Sequence, residues 1–183
     1  MNHHLEEWQR IRSEAGPNLK LFQTRYDFMR NPRNGHVEPM IILESTDSVN
    51  VVAVTPEEEL VFVHQYRFGI GRHTLELPGG IVDPGEDHQA GAARELREET
   101  GFSGDNWEYL GKVASNPVFM DSYIHHWLVR DVKITFDPQL DGGESVEVVR
   151  MPVAEARQQW LQGAFEHPHT VNGLLLFFGK YHF

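Results

Sequence analysis

The stretch from residue 75 to residue 102 constrains the fold more than any other part of this sequence, because it joins a glycine-rich turn to a short acidic helix. Gly79 and Gly80 lie in the turn, where the lack of a Cβ atom allows unusual backbone angles and close backbone contacts. Residues 87–100 are good or tolerable helix formers, and Gly101 then supplies a C-terminal cap. The sequence therefore predicts a loop, a helix and a glycine cap.

Glutamates crowd one face of this predicted helix. Glu95, Glu98 and Glu99 are spaced i, i+3 and i+4, so they share an arc of roughly 100°. Ala92 and Leu96 form an adjacent apolar stripe that is expected to face a protein core. Clustered carboxylates repel one another, and a hard divalent cation such as Mg²⁺ would remove that repulsion, with waters and substrate phosphates as its remaining ligands. The alternative is a solvated acidic helix surface that binds nothing.

The spacing of the whole stretch favours the metal-binding interpretation. It matches the pattern G-x5-E-x7-R-E-U-x-E-E-x-G-U, where U is a bulky apolar residue. At an average usage of roughly 7% per residue type, seven identities at fixed spacing would arise by chance about once in 10⁸ placements. The stretch resembles the signature motif of the Nudix hydrolases. The matching positions are Gly80, Glu86, Arg94, Glu95, Leu96, Glu98, Glu99, Gly101 and Phe102.

The resemblance implies both a fold and a chemistry. The implied architecture is α/β, a Nudix fold in which a mixed β-sheet is sandwiched between helices, here with added N-terminal strands. The implied reaction is the attack of water on a diphosphate, dependent on Mg²⁺ or Mn²⁺. By similarity, the metal ligands are Glu95, Glu99 and the carbonyl of Gly79, and Glu98 is a further ligand or the catalytic base.

Four other positions of the motif have structural roles by the same resemblance. Glu86 and Arg94 are expected to form an ion pair that fixes the loop to the helix, and Gly80 and Gly101 are expected to shape the backbone. Loss of the ion pair should therefore loosen the geometry of the site before it removes the chemistry.

Two features upstream of the helix indicate the substrate. The segment Gln65-Tyr66-Arg67, followed by Leu-Glu-Leu-Pro-Gly-Gly at residues 75–80, resembles the ADP-ribose pyrophosphatase branch of the family. Arg67 is then the predicted phosphate contact, because a guanidinium group matches phosphate oxygens in a two-pronged arrangement. The alternative for Arg67 is a surface ion pair. By the same resemblance, Glu76 is expected near the bound nucleotide.

Two further residues have both a functional and a structural interpretation. Trp8 is either a packing residue or an aromatic platform for the purine, as in related enzymes. Glu144 lies in the acidic loop at residues 137–147, which corresponds to a mobile loop that supplies the catalytic base in related sugar-nucleotide enzymes. Glu147 is the second candidate for the catalytic base. The alternative is that the loop is solvated and has no catalytic function.

Composition excludes several other classes of protein. The formal net charge is −11, from 16 basic and 27 acidic residues, which argues against a nucleic-acid-binding surface. There is no cysteine, so disulfides and thiolate metal sites are excluded. The first residues lack the pattern of a secretory signal, and no apolar run approaches the length of a membrane span. We therefore expect a cytoplasmic protein without a nucleic-acid or membrane partner.

The order of the predicted elements suggests two parts. Residues 1–45 are expected to form a helix near residues 5–12 and two strands, and by resemblance this part makes a homodimer. Residues 46–183 are expected to form the Nudix hydrolase domain. The predicted strands are residues 20–30, 37–44, 48–55, 60–66, 107–113 and 123–129, and the later helices are residues 151–161 and 170–178.

The predicted function follows from the motif and its branch. We expect Mg²⁺-dependent hydrolysis of a nucleoside diphosphate sugar, similar to ADP-ribose or GDP-mannose, to a nucleoside monophosphate and a sugar phosphate. One alternative keeps the chemistry but acts on a nucleoside triphosphate or a dinucleoside polyphosphate. Another is a non-catalytic nucleotide-sugar sensor, against which the intact set of Glu95, Glu98 and Glu99 argues.

Overall fold

The computed structural model of the protein describes residues 6–139 and 145–181. The chain divides into two compact units. The first comprises Met1–Ser45 and Ala114–Ser122, and the second comprises Thr46–Val113 and Tyr123–Phe183. In the described ranges, no helix is long and apolar enough to cross a membrane.

The described part of the first unit contains a three-stranded antiparallel sheet in the order β1 (Gln9–Asn18), β2 (Gln23–Arg30) and β3 (Val37–Glu44). The helix predicted near residues 5–12 is wrong, since residues 9–18 form β1. Apolar residues three apart over such a short segment were weak support for a helix. Pairing with β2 overrides that local preference.

The second unit is built on a mixed sheet. In the described residues, its strands follow the order β11-β5-β4-β9-β8, and β6 pairs with β5. The pair β4–β9 is parallel, whereas β5 is antiparallel to β4, β6 and β11. A separate short pair joins β7 and β10. The bounds are β4 Ser48–Val54, β5 Glu59–Arg67, β6 Arg72–Glu76, β7 Phe102–Ser103, β8 Asn106–Ala114, β9 Tyr123–Arg130, β10 Lys133–Ile134 and β11 Val146–Pro152.

Helices cover both faces of this sheet, as the Nudix resemblance implied. Helix α1 (His88–Thr100) packs on one face, and α2 (Val153–Leu161) and α3 (Pro168–Lys180) pack on the other. Alternation along the strands separates the two cores, because successive side chains point to opposite faces. Thus Val51 packs with the α1 residue Leu96, whereas Val52 packs with the α3 residue Leu174.

Helix α1 begins and ends where the sequence predicts. The side chain of Asp87 accepts hydrogen bonds from the backbone N–H groups of Gln89 and Ala90, which caps the first turn. Gly101 ends the helix in the left-handed conformation with φ of 74°, and its N–H donates to the carbonyl of Arg97 over 2.8 Å. A Cβ atom at Gly101 would lie 2.4 Å from the carbonyl oxygen of Phe136, so the position requires glycine.

Candidate active site

The glycine turn lies directly against strand β4. The backbone N–H of Val49 donates to the carbonyl of Gly80, and the N–H of Val51 donates to the carbonyl of Pro78, each over 2.8 Å. A Cβ atom at Gly79 would lie 2.1 Å from the carbonyl oxygen of Val49. The turn can approach the strand this closely only because Gly79 has no side chain.

Two glutamates of α1 reach this turn. The N–H of Gly79 donates to Oε2 of Glu99 over 2.9 Å, and Glu99 is only 3% exposed. A Cβ atom at Gly80 would lie 2.5 Å from Oε1 of Glu95. The structure therefore brings together Gly79, Gly80, Glu95 and Glu99 at the point where the turn meets the helix.

Arg94 connects the loop to the acidic face. Its Nε and Nη2 atoms donate to the two carboxylate oxygens of Glu86 over 3.1 and 3.0 Å, and Nη2 also donates to the carbonyl of Ile81 over 3.0 Å. Its Nη1 atom donates to Glu95 over 2.8 Å and to Glu98 over 3.2 Å. The hydrogen bonds that Arg94 donates to Glu86, and then to Glu95 and Glu98, raise its pKa above its ordinary value. The same bonds from Arg94 lower the pKa of Glu86.

The donor set suits a divalent cation that also binds a substrate. Within the described residues, no three acidic, histidine or cysteine side chains converge closely enough to form a complete metal site. Two carboxylates, those of Glu95 and Glu99, do meet at the glycine turn. A hard cation bound by one or two carboxylates, with waters and phosphate oxygens as its other ligands, needs no more from the protein.

Arg67 and Glu76 form a second polar centre. The Nε and Nη2 atoms of Arg67 donate to the two carboxylate oxygens of Glu76 over 2.7 and 2.5 Å, and the hydroxyl of Thr74 also donates to Glu76. Burial alone would raise the pKa of Glu76, but the hydrogen bonds from Arg67 and Thr74 outweigh burial and lower it. The side chain of Glu76 is 2% exposed and that of Arg67 is 39% exposed. Glu76 thus orients Arg67, which reaches the surface.

A cavity of 170 Å³ joins the two centres. Its lining residues come from β4, the end of β5, β6, the glycine turn and the start of α3. They are Ser48, Val49, Asn50, Arg67, Glu76, Leu77, Gly79, Gly80, Ile81, His167 and His169. His167 and His169 were not predicted from the sequence, although a His-Pro-His run before a predicted helix is a signal that could have indicated them.

The remaining predicted site residues do not line the cavity or lie outside the described residues. Glu98 is on the acidic face of α1 with its side chain 35% exposed. Trp8 belongs to the first unit and is 44% exposed, so a role for it as a purine platform stays a prediction. Glu144 lies outside the described residues. The second candidate for the catalytic base, Glu147, is an exposed residue of β11.

Comparison with known proteins identifies the family. The NUDIX domain profile matches residues 44–171. The chain is 32% identical over 155 residues to a methanol dehydrogenase activator of Bacillus methanolicus, covering 84% of this chain and 83% of the relative. It is 30% identical over 171 residues to an ADP-ribose pyrophosphatase of Mycobacterium tuberculosis, covering 92% and 82%.

Comparison with solved structures supports the same fold. A crystal structure of an ADP compounds hydrolase superposes with a TM-score of 0.83 at 23% identity, covering 96% of this chain and 95% of that chain. The Nudix fold and the resemblance to the ADP-ribose pyrophosphatase branch are therefore confirmed. The chain belongs to the Nudix hydrolase family.

Proposed function

We propose that this protein is a Mg²⁺-dependent hydrolase that cleaves the diphosphate bond of a nucleoside diphosphate sugar, similar to ADP-ribose or GDP-mannose. The products are a nucleoside monophosphate and a sugar phosphate. The observation that carries the proposal is the 170 Å³ cavity, which is lined by both the glycine turn and Arg67. A diphosphate in this cavity would lie between the glycine turn, which Glu95 and Glu99 contact, and the guanidinium of Arg67. Relatives named ADP-ribose pyrophosphatase support the substrate class.

Each residue of the site has a role that follows from its chemistry. Glu95, Glu99 and the Gly79 carbonyl would hold Mg²⁺, which when bound neutralises charge on the diphosphate. Arg67, oriented by Glu76, binds non-bridging phosphate oxygens and keeps the diphosphate in place. A glutamate accepts the proton of the attacking water, and the candidates are Glu98, Glu144 and Glu147.

A homodimer formed through the first unit is part of the proposal. Large apolar side chains of this unit are exposed, and their burial in a protein contact would be favourable. They include Trp8, Ile11, Leu19, Leu21, Val37 and Ile41. The absence of cysteine is consistent with the proposed cytoplasmic location.

A panel of substrates tests the activity. Purified protein with Mg²⁺ would be incubated with ADP-ribose, GDP-mannose, a dinucleoside polyphosphate and dGTP, and the products separated by ion-exchange chromatography. AMP with ribose phosphate, or GMP with mannose phosphate, is the expected result. Turnover of dGTP alone would contradict the sugar-nucleotide proposal, and binding without any turnover would favour the sensor.

One substitution tests the metal site within the same assay. We expect Glu99→Gln to lower turnover by about 10²-fold or more, because an amide is a far weaker ligand than a carboxylate for a hard cation. Glu155→Gln makes the same chemical change at an exposed position of α2 and should leave turnover unchanged. Normal turnover of folded Glu99→Gln would show that Glu99 is not a ligand.

A further inference from the structure

Two histidines stand at the start of helix α3 in the wall of the cavity. His167 precedes the first helical residue, Pro168, and His169 follows it. The start of α3 is fixed to β6, because the N–H of Leu77 donates to the hydroxyl of the fully buried Thr170 over 3.0 Å. The histidine pair is therefore held at a defined position beside Arg67 and Glu76.

Glu76 lies next to one ring nitrogen of His167. Nδ1 of His167 is 3.1 Å from Oε2 of Glu76, but the two atoms do not form a hydrogen bond in this geometry. The carboxylate favours a proton on Nδ1, because an ionised carboxylate can only accept. In the neutral ring, Nε2 is then the acceptor.

Both His167 and His169 are neutral at physiological pH. Burial lowers the pKa of His169 to about 4, and burial also lowers the pKa of His167 despite the neighbouring Glu76. A neutral imidazole offers one donor and one acceptor, as does a hydroxyl group. Phosphate oxygens at this pH are chiefly acceptors, for which Arg67 is the better partner. The chemistry of the histidine pair therefore matches sugar hydroxyls.

The cavity has one further polar group with unmet hydrogen-bonding capacity. Asn50 lines it and is 3% exposed. Its Nδ2 donates to the carbonyl of Leu77 over 3.1 Å, whereas its Oδ1 has no partner among the described residues. A buried polar atom without a partner is unfavourable, so a ligand hydroxyl that donates to Oδ1 would be bound there.

We propose that His167 and His169 bind hydroxyl groups of the sugar that leaves as sugar phosphate, and so determine which nucleotide sugar the protein selects. This inference rests on the proposed function. In this arrangement Arg67 and the glycine turn bind the diphosphate, and the histidine pair beside Arg67 binds the adjoining sugar. Asn50 supplies an additional acceptor to the sugar.

Comparison of two substrates tests the assignment. The first is ADP-ribose or GDP-mannose, whichever the protein cleaves or binds better. The second is an alkyl ester of the same nucleoside diphosphate, which keeps the diphosphate but lacks the hydroxyls of the second sugar. We expect His167→Leu and His169→Leu each to lower kcat/KM for the sugar nucleotide by about tenfold, mainly through KM, because each loses a hydroxyl contact. The alkyl ester should be cleaved within about twofold of the unsubstituted rate.

Further variants separate recognition from a structural effect. His169→Asn keeps a donor and an acceptor and should restore part of the affinity for the sugar nucleotide. His36→Leu removes an exposed histidine of the first unit and should leave kcat/KM for both substrates unchanged. Equal losses on both substrates, or no loss on the sugar nucleotide, would overturn the inference.

Calorimetry separates this inference from the proposed activity. If the unsubstituted protein cleaves neither substrate, the proposed function fails, but binding can still be measured. Binding of the sugar nucleotide that weakens about tenfold in His169→Leu, with unchanged binding of the alkyl ester, would support the sugar site. Binding that the substitution does not change, or no binding of the sugar nucleotide, would overturn it.

Discussion

At the scale of single residues, Gly80 fixes the position of a predicted metal ligand. An added Cβ atom would lie 2.5 Å from Oε1 of Glu95, which is well inside van der Waals contact. We expect Gly80→Ala to displace the Glu95 carboxylate, so that the Mg²⁺ concentration for half-maximal activity rises about tenfold or more. Metal titration of activity measures this change.

The control position for Gly80 is Gly179, which lies in α3. A Cβ atom at Gly179 meets no atom within 4 Å, and Gly179 has no positive φ. Gly179→Ala should therefore give the same metal titration as the unsubstituted protein. If Gly80→Ala also left the titration unchanged, Glu95 would not be a ligand in its present position.

At the scale of elements, one arginine links the loop to helix α1. Arg94→Gln removes the two-pronged contact with Glu86 and the bond to the Ile81 carbonyl. It also removes the cation that Glu95 and Glu98 share. We expect the free energy of unfolding to fall by about 2 kcal/mol, as urea titration would measure. Turnover should fall as well, and saturating Mg²⁺ should restore part of it, because the proposed ligands themselves remain.

A second arginine of the same helix is the matched control. The side chain of Arg97 is 46% exposed and lies 3.9 Å from a carboxylate oxygen of Glu98. An exposed pair of this kind contributes on the order of 0.5 kcal/mol or less. Arg97→Gln should therefore have little effect on unfolding, and equal destabilisation by the two substitutions would contradict the special role of Arg94.

At the scale of the whole molecule, buried histidines make stability depend on pH. Burial lowers the pKa of His126 to about 4, against 6.5 for its ordinary value. Between these values the unfolded chain binds the proton more readily than the folded one, so stability is full above pH 6.5 and falls as pH decreases towards 4. The loss from His126 amounts to about 3 kcal/mol at most. Urea unfolding at pH 7.5, 6 and 5 measures it.

Replacement of His126 tests the origin of this pH dependence. His126→Leu removes the titrating group and keeps a side chain of similar size in the core. We expect its free energy of unfolding to depend less steeply on pH between 6.5 and 4 than that of the unsubstituted protein. The same slope in both proteins would assign the effect to other groups, such as His169.

Assembly is the other property of the whole molecule that can be tested. Ile41, on β3, is 55% exposed and belongs to the apolar surface of the first unit. If this unit forms the dimer, Ile41→Lys should shift the mass measured by light scattering from dimer towards monomer, because it places a charge in an apolar contact. Leu161→Lys, at a 62% exposed position of the second unit, is the control. Unchanged mass for Ile41→Lys would exclude Ile41 from the interface.

The sequence by itself determined the features that depend on local spacing. The helix over residues 88–100, its cap at Gly101 and the shared face of its glutamates follow from 3.6 residues per turn and from residue type, whereas the cap at Asp87 was not predicted. The strands that alternate or carry β-branched runs were predicted within a few residues of their ends. Local spacing was insufficient for residues 9–18, where pairing with β2 produced a strand instead of the predicted helix.

Only the tertiary structure decided how distant segments meet at the cavity. The contact of Arg67 with Glu76 depends on the register of the β5–β6 pair, and the position of His167 depends on α3 packing against the end of β6. Neither contact follows from local spacing, because the register of a strand pair and the docking of a helix are set when the sheet and its helices bury their apolar faces. The sequence thus determined the acidic half of the candidate site, whereas the packing of β6 and α3 decided its histidine-lined half.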